Sequence, residues 1–156
     1  MKKTIISLIV SCLLGGAFIT SSSAADGWEI NITVASGNAE SSLSFGQMSD
    51  ATNLTDGLYD VPAMLSGGLQ AYFQSNEGFF WRDIRALESE TGWQLVVSSQ
   101  TGYPITITWD PADLPAEGKI RMIDNSNRHE TDMRNSNEYL LENAKETSLL
   151  IVLTKN

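Results

Sequence analysis

Residues 28–34 read Trp-Glu-Ile-Asn-Ile-Thr-Val, and apolar and polar side chains alternate along this stretch. The apolar residues fall on one face of an extended chain, while Glu29, Asn31 and Thr33 fall on the other, which is typical of a half-buried β-strand. The same period of two recurs along the rest of the chain. It is found in residues 43–45, 69–73, 93–97, 105–109, 120–122, 139–141 and 149–153.

Clusters of glycine, asparagine, serine and proline separate these segments, and such clusters favour turns. Their spacing predicts an all-β domain, an antiparallel β-sandwich of about eight or nine short strands. Trp93 and Trp109 are in phase with apolar neighbours, so we expect both indoles in the core. Residues 80–89 have some helical character, and they fit a strand followed by a loop equally well.

The N-terminal segment has the three parts of a secretory signal peptide, and we assign residues 1–25 to it. Lys2 and Lys3 precede an apolar stretch at 5–19, and small residues follow at 21–25. This stretch is shorter than the roughly 20 residues that span a bilayer, which favours cleavage over a membrane anchor. Lipidation at Cys12 is a further alternative. Residues 26–156 then form a single domain without a transmembrane segment.

The overall charge limits the partners. The chain has 156 residues, and its 19 acidic side chains against 10 lysines and arginines give a formal charge of -9. Such a charge argues against nucleic acid and anionic membranes as partners. One cysteine and one histidine remove most zinc sites, most Cys/His or Ser/His nucleophile systems and any disulfide framework.

The connection at 47–63 carries the densest set of oxygen ligands. Asp50, Asp56 and Asp60 lie within eleven residues, and carboxylates are ligands that calcium prefers. The spacing differs from that of an EF-hand loop. Asp50 and Asp56 are equally able to form turns in which the side chain binds a backbone amide. We therefore predict a calcium site at these three aspartates, with structural turns as the alternative.

Phe79, Phe80 and Trp81 follow Gly78 and are the aromatic residues that we expect at the surface. Exposed rings of this kind stack on the faces of sugars. The triplet therefore predicts a ligand-binding platform for polysaccharide.

Charged residues offer two further interpretations. Arg82, Arg85 and Arg134 lie in segments that also carry aspartates, which predicts a cross-strand ion cluster, with an anion site as the alternative. Glycosidases need two carboxylates, and two pairs of acidic residues meet that requirement in composition. They are Glu88 with Glu90 and Asp110 with Asp113. They have no supporting motif, and the chain lacks a Gly-x-Ser-x-Gly elbow. We expect no enzymatic activity.

The last apolar run, Leu149–Leu153, is nearly continuous. A continuous run predicts a strand that is buried on both faces or protected at the centre of a sheet. If the strand lay at an exposed edge instead, it would offer self-association by pairing with another subunit.

A series of short motifs runs through nearly all of residues 26–156. These motifs are Trp28-Glu29-Ile30, Phe45-Gly46, Asp50-Ala51-Thr52, Asp56–Pro62, Trp81–Arg85, Trp93, Ile107–Asp110, Leu114-Pro115, Asp132-Met133-Arg134 and Tyr139. In their order and spacing the chain resembles a bacterial immunoglobulin-like β-sandwich module of cell-surface proteins and type IX secretion cargo. The resemblance implies an immunoglobulin-like fold and a structural or binding unit without catalytic residues.

Together these observations predict a non-enzymatic exported β-sandwich, secreted or at the cell surface, with the periplasm as an alternative. We expect an adhesion, matrix or assembly subunit, stabilised by Ca²⁺ if the aspartate site forms, whose partner is a protein or a surface polysaccharide. A carbohydrate-binding module is the first alternative and a small secreted hydrolase the second.

Overall fold

The computed structural model describes residues 26–88, 90–142 and 145–155. Over these ranges the chain is all-β, as predicted, with one 3₁₀ turn at Pro111–Asp113. The predicted signal peptide at 1–25, with Cys12, lies outside the described residues. Within the described ranges, no helix has the length and apolar character needed to cross a membrane.

The described residues form eleven strands, more than the eight or nine that were expected. In chain order they are β1 (Gly27–Ser36), β2 (Ala39–Met48), β3 (Val61–Pro62), β4 (Leu69–Ser75), β5 (Gly78–Ala86), β6 (Glu90–Ser99), β7 (Ile105–Trp109), β8 (Lys119–Asp124), β9 (Glu130–Asp132), β10 (Glu138–Leu141) and β11 (Glu146–Thr154). The additional strands are β3 and β9, which have two and three residues. Segments this short contain too few side chains for an alternating pattern to show. Residues 80–86, with their partly helical character, belong to strand β5.

All eleven strands belong to one mixed sheet with the order β10-β7-β1-β2-β5-β4-β6-β11-β8-β9, and β3 pairs with β5. Nine of the ten pairings are antiparallel, but β2 and β5 run parallel. This corrects the purely antiparallel prediction. Parallel neighbours need a long crossover, and the segment between β2 and β5, which includes β3 and β4, supplies it.

The sheet is nearly barrel-shaped, and its two ends meet through side chains. The Tyr139 hydroxyl on β10 donates a hydrogen bond of 3.1 Å to an Asp124 carboxylate oxygen on β8. The indole of Trp109 on β7 donates one of 2.8 Å to the carbonyl of Met133, just after β9. An immunoglobulin-like sandwich is not confirmed, because backbone pairing links all strands into one sheet.

The core lies inside this rolled sheet, where its two halves face each other. The ring of Phe45 on β2 lies 5.0 Å from Trp93 on β6 and 5.6 Å from Phe73 on β4, centroid to centroid. Trp93 is fully buried and Trp109 is 6% exposed, which confirms the prediction that both indoles are in the core. Burial of large aromatic surfaces in this way is a main source of folding free energy.

Strand β11 occupies a central position, between β6 and β8. Leu149, Ile151 and Leu153 point into the core, while Leu150 and Val152 are partly covered on the other face. The predicted central position is therefore confirmed. The edge-strand alternative is wrong for this segment, since hydrogen bonds on both sides already use its backbone groups.

Candidate functional site

The connection from β2 to β4, residues 49–68, pairs with β5 through β3 and contains the three predicted calcium ligands. Arg82 of β5 anchors it. The Arg82 Nε and Nη2 atoms each donate a hydrogen bond of 2.7 Å to a carboxylate oxygen of Glu29 on β1. The Arg82 Nη1 atom donates another of 2.7 Å to the backbone carbonyl of Tyr59. One guanidinium group thus joins the connection to the sheet.

The three aspartates of this connection have different partners. Asp50 accepts a hydrogen bond from the Tyr59 hydroxyl. Asp56 accepts one of 3.4 Å from the backbone amide two residues later, as expected for an Asx turn. Asp60 accepts from the amide of Asp56 at 2.6 Å and from the amide of Ile84 on β5 at 2.9 Å. The structural-turn alternative is therefore confirmed for Asp56, whereas Asp50 and Asp60 bind more distant groups.

Among the described residues, no group of three or more His, Cys, Asp or Glu side chains is placed so that it could hold a metal ion. Asp60 uses both carboxylate oxygens on backbone amides. Calcium binding by Asp50, Asp56 and Asp60 stays a prediction.

The ion pair between Arg82 and Glu29 has a defined charge state. Hydrogen bonding to Arg82 lowers the pKa of Glu29 against the opposing effect of burial, and the same hydrogen bond raises the pKa of Arg82. Burial raises the pKa of Asp60, although two backbone amides partly offset it. Glu29 and Arg82 therefore form a firm ion pair at neutral pH, whereas folding disfavours the ionised form of Asp60.

The aromatic triplet is divided between surface and core. Phe79 is 43% exposed, and its ring packs edge-on against Tyr72 at 4.8 Å. Phe80 is only 4% exposed, because it pairs with Phe73 on β4 and turns into the core with it. Trp81 is partly buried against the core. The expectation of three exposed rings is corrected at Phe80, and sugar binding at Phe79 and Trp81 stays a prediction.

An exposed apolar surface lies on the same connection. Of the nine large hydrophobic side chains that are exposed among the described residues, five lie within 54–65. We call these five residues the apolar strip: Leu54, Leu58, Val61, Met64 and Leu65. Leu58 and Met64 reach 84% and 74% exposure. The sign of the apolar strip in the sequence is a set of apolar residues without period two inside a turn-rich segment, from which no site was predicted.

Trp81 forms a wall of two cavities next to the apolar strip. One cavity of about 330 Å³ is lined by Trp81 together with Met64, Leu65 and Gln70. The other, of about 210 Å³, is lined by Trp81 together with Val61 and Arg82. The apolar strip therefore projects from the connection and also borders these two cavities.

A third cavity, of about 630 Å³, opens where β4, β6 and β11 meet the loop after β6. We call it the Tyr103 cavity, because the ring of Tyr103 is 65% exposed at its side. Its lining is polar and consists of Gln70, Ser98, Ser99, Gln100, Gly102, Tyr103, Glu142, Lys145 and Glu146. The sequence pattern predicted no function for Tyr103.

Three hydroxyl groups support the loop that carries Tyr103. The Ser36 Oγ lies 3.0 Å from the Ser99 Oγ and 2.6 Å from the Thr101 Oγ1, and the latter two are 2.7 Å apart. Ser36 also donates a hydrogen bond of 3.1 Å to the Tyr103 carbonyl. The cluster ties the end of β1 to the end of β6. Serine and threonine are common at strand ends, so the sequence contained no signal for this cluster of hydroxyl groups.

The three arginines have separate partners. Arg85 forms an ion pair of 2.9 Å with Asp83, and its guanidinium carbon lies 5.7 Å from the Trp93 ring centroid. Arg134 donates to the backbone carbonyls of the 115–118 turn. Arg82 binds Glu29, as described above. The structure therefore brings these arginines together neither as an ion cluster nor as an anion site.

The acid pairs occupy ends of strands and turns. Glu88 accepts a hydrogen bond of 2.6 Å from the side-chain amide of Asn53. Asp110 accepts one of 2.9 Å from the amide of Ala112 and so caps the 3₁₀ turn. Asp110 and Asp113 also line an open cavity of about 460 Å³. Glu88 and Asp110 thus each have a structural role within a loop.

No protein-family model, curated protein or solved structure matches this chain.

Proposed function

We propose that the protein is a non-enzymatic exported domain that serves as an adhesion, matrix or assembly subunit and binds a protein partner through the apolar strip. The observation that carries this proposal is the exposure of five large apolar side chains on one connection. Exposed apolar patches on soluble proteins mark interaction sites. Export is supported by the signal-peptide pattern at residues 1–25.

The anchoring of the connection favours specific binding of a partner over non-specific hydrophobic association. Arg82 holds the Tyr59 carbonyl at 2.7 Å, and Asp60 receives the Ile84 amide at 2.9 Å, so the chain between Leu58 and Val61 is fixed to β5. A surface that is ordered before binding loses little conformational entropy when a partner docks.

The charge of the connection indicates the partner's chemistry. Residues 49–68 contain three aspartates and no lysine or arginine. A partner that places apolar side chains into the strip and basic side chains around it would match both properties. A second copy of this chain is a poor match, because its formal charge is also -9.

Binding to the envelope fraction of the source cells tests the proposal. We expect the labelled full-length protein to bind saturably, and Leu58→Ser combined with Met64→Ser to weaken binding by about tenfold or more. Leu140→Ser is the matched control, because Leu140 is 52% exposed on a different strand, β10. Equal binding by the double variant and the control would overturn the proposal. So would sedimentation data showing that the strip only joins two copies of this chain.

A carbohydrate-binding module is the second candidate. The observation that favours it is the exposed Tyr103 ring beside a polar cavity. Trp81 belongs to the platform that the sequence predicted, so loss of glycan binding in the Trp81→Ala variant would support this second candidate function. Unchanged glycan binding in that variant would exclude Trp81 as its platform.

A further inference from the structure

We propose that the Tyr103 cavity binds a neutral polysaccharide chain, with Tyr103 as the stacking platform and Gln70 and Gln100 as hydrogen-bonding groups. This inference deepens the proposed matrix function by naming a second ligand class. It does not require protein docking by the apolar strip.

The size and lining of the cavity suit sugars. A volume of about 630 Å³ lies within the usual range for ligand sites. A tyrosine ring offers an apolar face to the C–H groups of a sugar ring. Each glutamine amide both donates and accepts hydrogen bonds, which matches neighbouring hydroxyl groups that do the same. Such a lining recognises a molecule rich in hydroxyls better than a purely apolar one.

Contacts with Gly37, Thr101 and Ser36 hold Tyr103 in place. Gly37, in the turn between β1 and β2, has a φ of +59°, and a Cβ built on it would lie 2.7 Å from the Tyr103 Cδ2. The ring therefore packs directly on the glycine. The Tyr103 amide donates a hydrogen bond of 3.3 Å to Thr101, and its carbonyl accepts one of 3.1 Å from Ser36. An exposed ring with such support is already ordered for stacking.

Three polar side chains of the cavity form no hydrogen bond with other described residues. Among the hydrogen bonds between described residues, none uses the side chain of Gln70, Gln100 or Tyr103. A ligand that hydrogen-bonds to these side chains would therefore break none of the hydrogen bonds between described residues.

Charge selects against anionic ligands. Glu142 and Glu146 line the cavity with Lys145 as the single basic residue, and the whole chain is acidic. Phosphate groups or uronic acids would be repelled, whereas hydroxyl groups can donate to the glutamates. The geometry and the charge thus favour a neutral chain over a charged one.

Gln70 lines both the Tyr103 cavity and the smaller cavity beside Trp81, so the two are neighbours. A long ligand is therefore favoured over a single sugar, because a polysaccharide can continue from Tyr103 past Gln70.

Native affinity electrophoresis of the full-length protein tests the inference. The probes in the gel are hydroxyethylcellulose, xylan and galactomannan as neutral chains, and polygalacturonate as the anionic chain. We expect at least one neutral polysaccharide to retard the protein and polygalacturonate not to do so. Tyr103→Ala should weaken binding by about tenfold or more, while Tyr103→Trp, which keeps a stacking ring, should retain it.

Leu140→Ala is the matched control, since it also shortens an exposed side chain and Leu140 is not among the residues that line the cavity. Retardation by none of the three neutral probes, retardation by polygalacturonate alone, or equal retardation of Tyr103→Ala and the parent would each overturn the inference. Leu58→Ser alone should leave glycan retardation unchanged, because Leu58 belongs to the apolar strip and lines neither the Tyr103 cavity nor the smaller cavity beside Trp81. A failure of polysaccharide binding and a failure of protein docking are therefore distinguishable.

Discussion

Arg82 on β5 and Glu29 on β1 form a two-point ion pair across the intervening strand β2, with both nitrogen–oxygen distances at 2.7 Å. Each side chain is 27% exposed, so water screens the pair only in part. Because Arg82 also holds the Tyr59 carbonyl, this pair positions the connection that carries the apolar strip.

Removing the charge of Glu29 should destabilise the fold. We expect Glu29→Gln to lower the free energy of unfolding by about 1 to 2 kcal/mol, because a charge-assisted, two-point hydrogen bond is weakened. Glu130→Gln is the matched control, since Glu130 pairs with Arg121 at 50% exposure and should contribute less than about 1 kcal/mol. Urea denaturation at pH 7 measures both values. Equal losses would contradict the assigned role of the Arg82 anchor.

The stability provided by Glu29 should depend on pH. Its pKa lies below the ordinary value of 4.5, because the hydrogen bond from Arg82 outweighs burial. The unfolded chain therefore binds this proton more tightly than the folded one, and the stabilisation is complete above the ordinary pKa. As the pH falls through the folded-state pKa, the stability difference between the parent and Glu29→Gln should vanish. Denaturation curves at a series of pH values measure it, and a difference that grows towards acid would contradict the assignment.

Asp124 should be among the polar residues that contribute most to stability. It is 2% exposed and accepts hydrogen bonds from the Ser126 amide at 2.8 Å, the Ser126 hydroxyl at 2.6 Å and Tyr139 at 3.1 Å. Burial raises its pKa, but these hydrogen bonds outweigh the effect and the pKa is lowered overall. We expect Asp124→Ala to cost about 2 to 3 kcal/mol, because it leaves donors without an acceptor.

The control for Asp124 is Asp132→Ala. Asp132 also accepts two hydrogen bonds, from the Arg134 amide at 2.9 Å and Asn135 at 2.8 Å, but it is exposed. Water replaces its hydrogen bonds, so the loss should stay below about 1 kcal/mol. Thermal denaturation compares the two variants. A larger loss for Asp132→Ala would show that the hydrogen bonds to Asp124 do not hold the ends of the sheet together.

Gly46 should tolerate no side chain. A Cβ at this position would overlap the Trp28 carbonyl and lie 2.9 Å from the Glu29 Cα, both in the backbone of the paired strand β1. We expect Gly46→Ala to destabilise the fold by about 1 to 3 kcal/mol, because the backbone itself must move. Gly57→Ala is the matched control, since nothing lies within 4 Å of its added Cβ. Chemical denaturation that ranked Gly57→Ala as the more harmful change would contradict the close approach of β1 and β2.

Period-two patterning predicted the long strands because each places several side chains on two contrasting faces. Strand β1 alternates over Ile30, Ile32 and Val34, and all three are fully buried. The same argument placed Trp93 and Trp109 correctly. It could not find β3 and β9, and it could not show the direction of β5 relative to β2. Direction depends on the path of a connection, and alternation carries no information about that path.

The candidate surfaces were less predictable than the strands. Phe80 follows Phe79 in sequence, and its pairing with Phe73 decides that it is buried. Tyr103 stands in a turn without any local signal, and its support comes from Ser36 and Gly37, more than sixty residues away. Contacts between residues so distant in the chain arise only when strands have been placed side by side.

By itself, the sequence determined that this protein is all-β and that two tryptophans are buried, and its composition predicts that anionic partners are disfavoured. These properties follow from local alternation and from composition, which need no knowledge of strand order. The tertiary structure alone decided that the strands form one mixed sheet, that Arg82 fixes the apolar strip to β5, and that Tyr103 stands beside a polar cavity. Each of these depends on which distant segments become neighbours, and that is set by the packing of the whole core rather than by any segment of the chain.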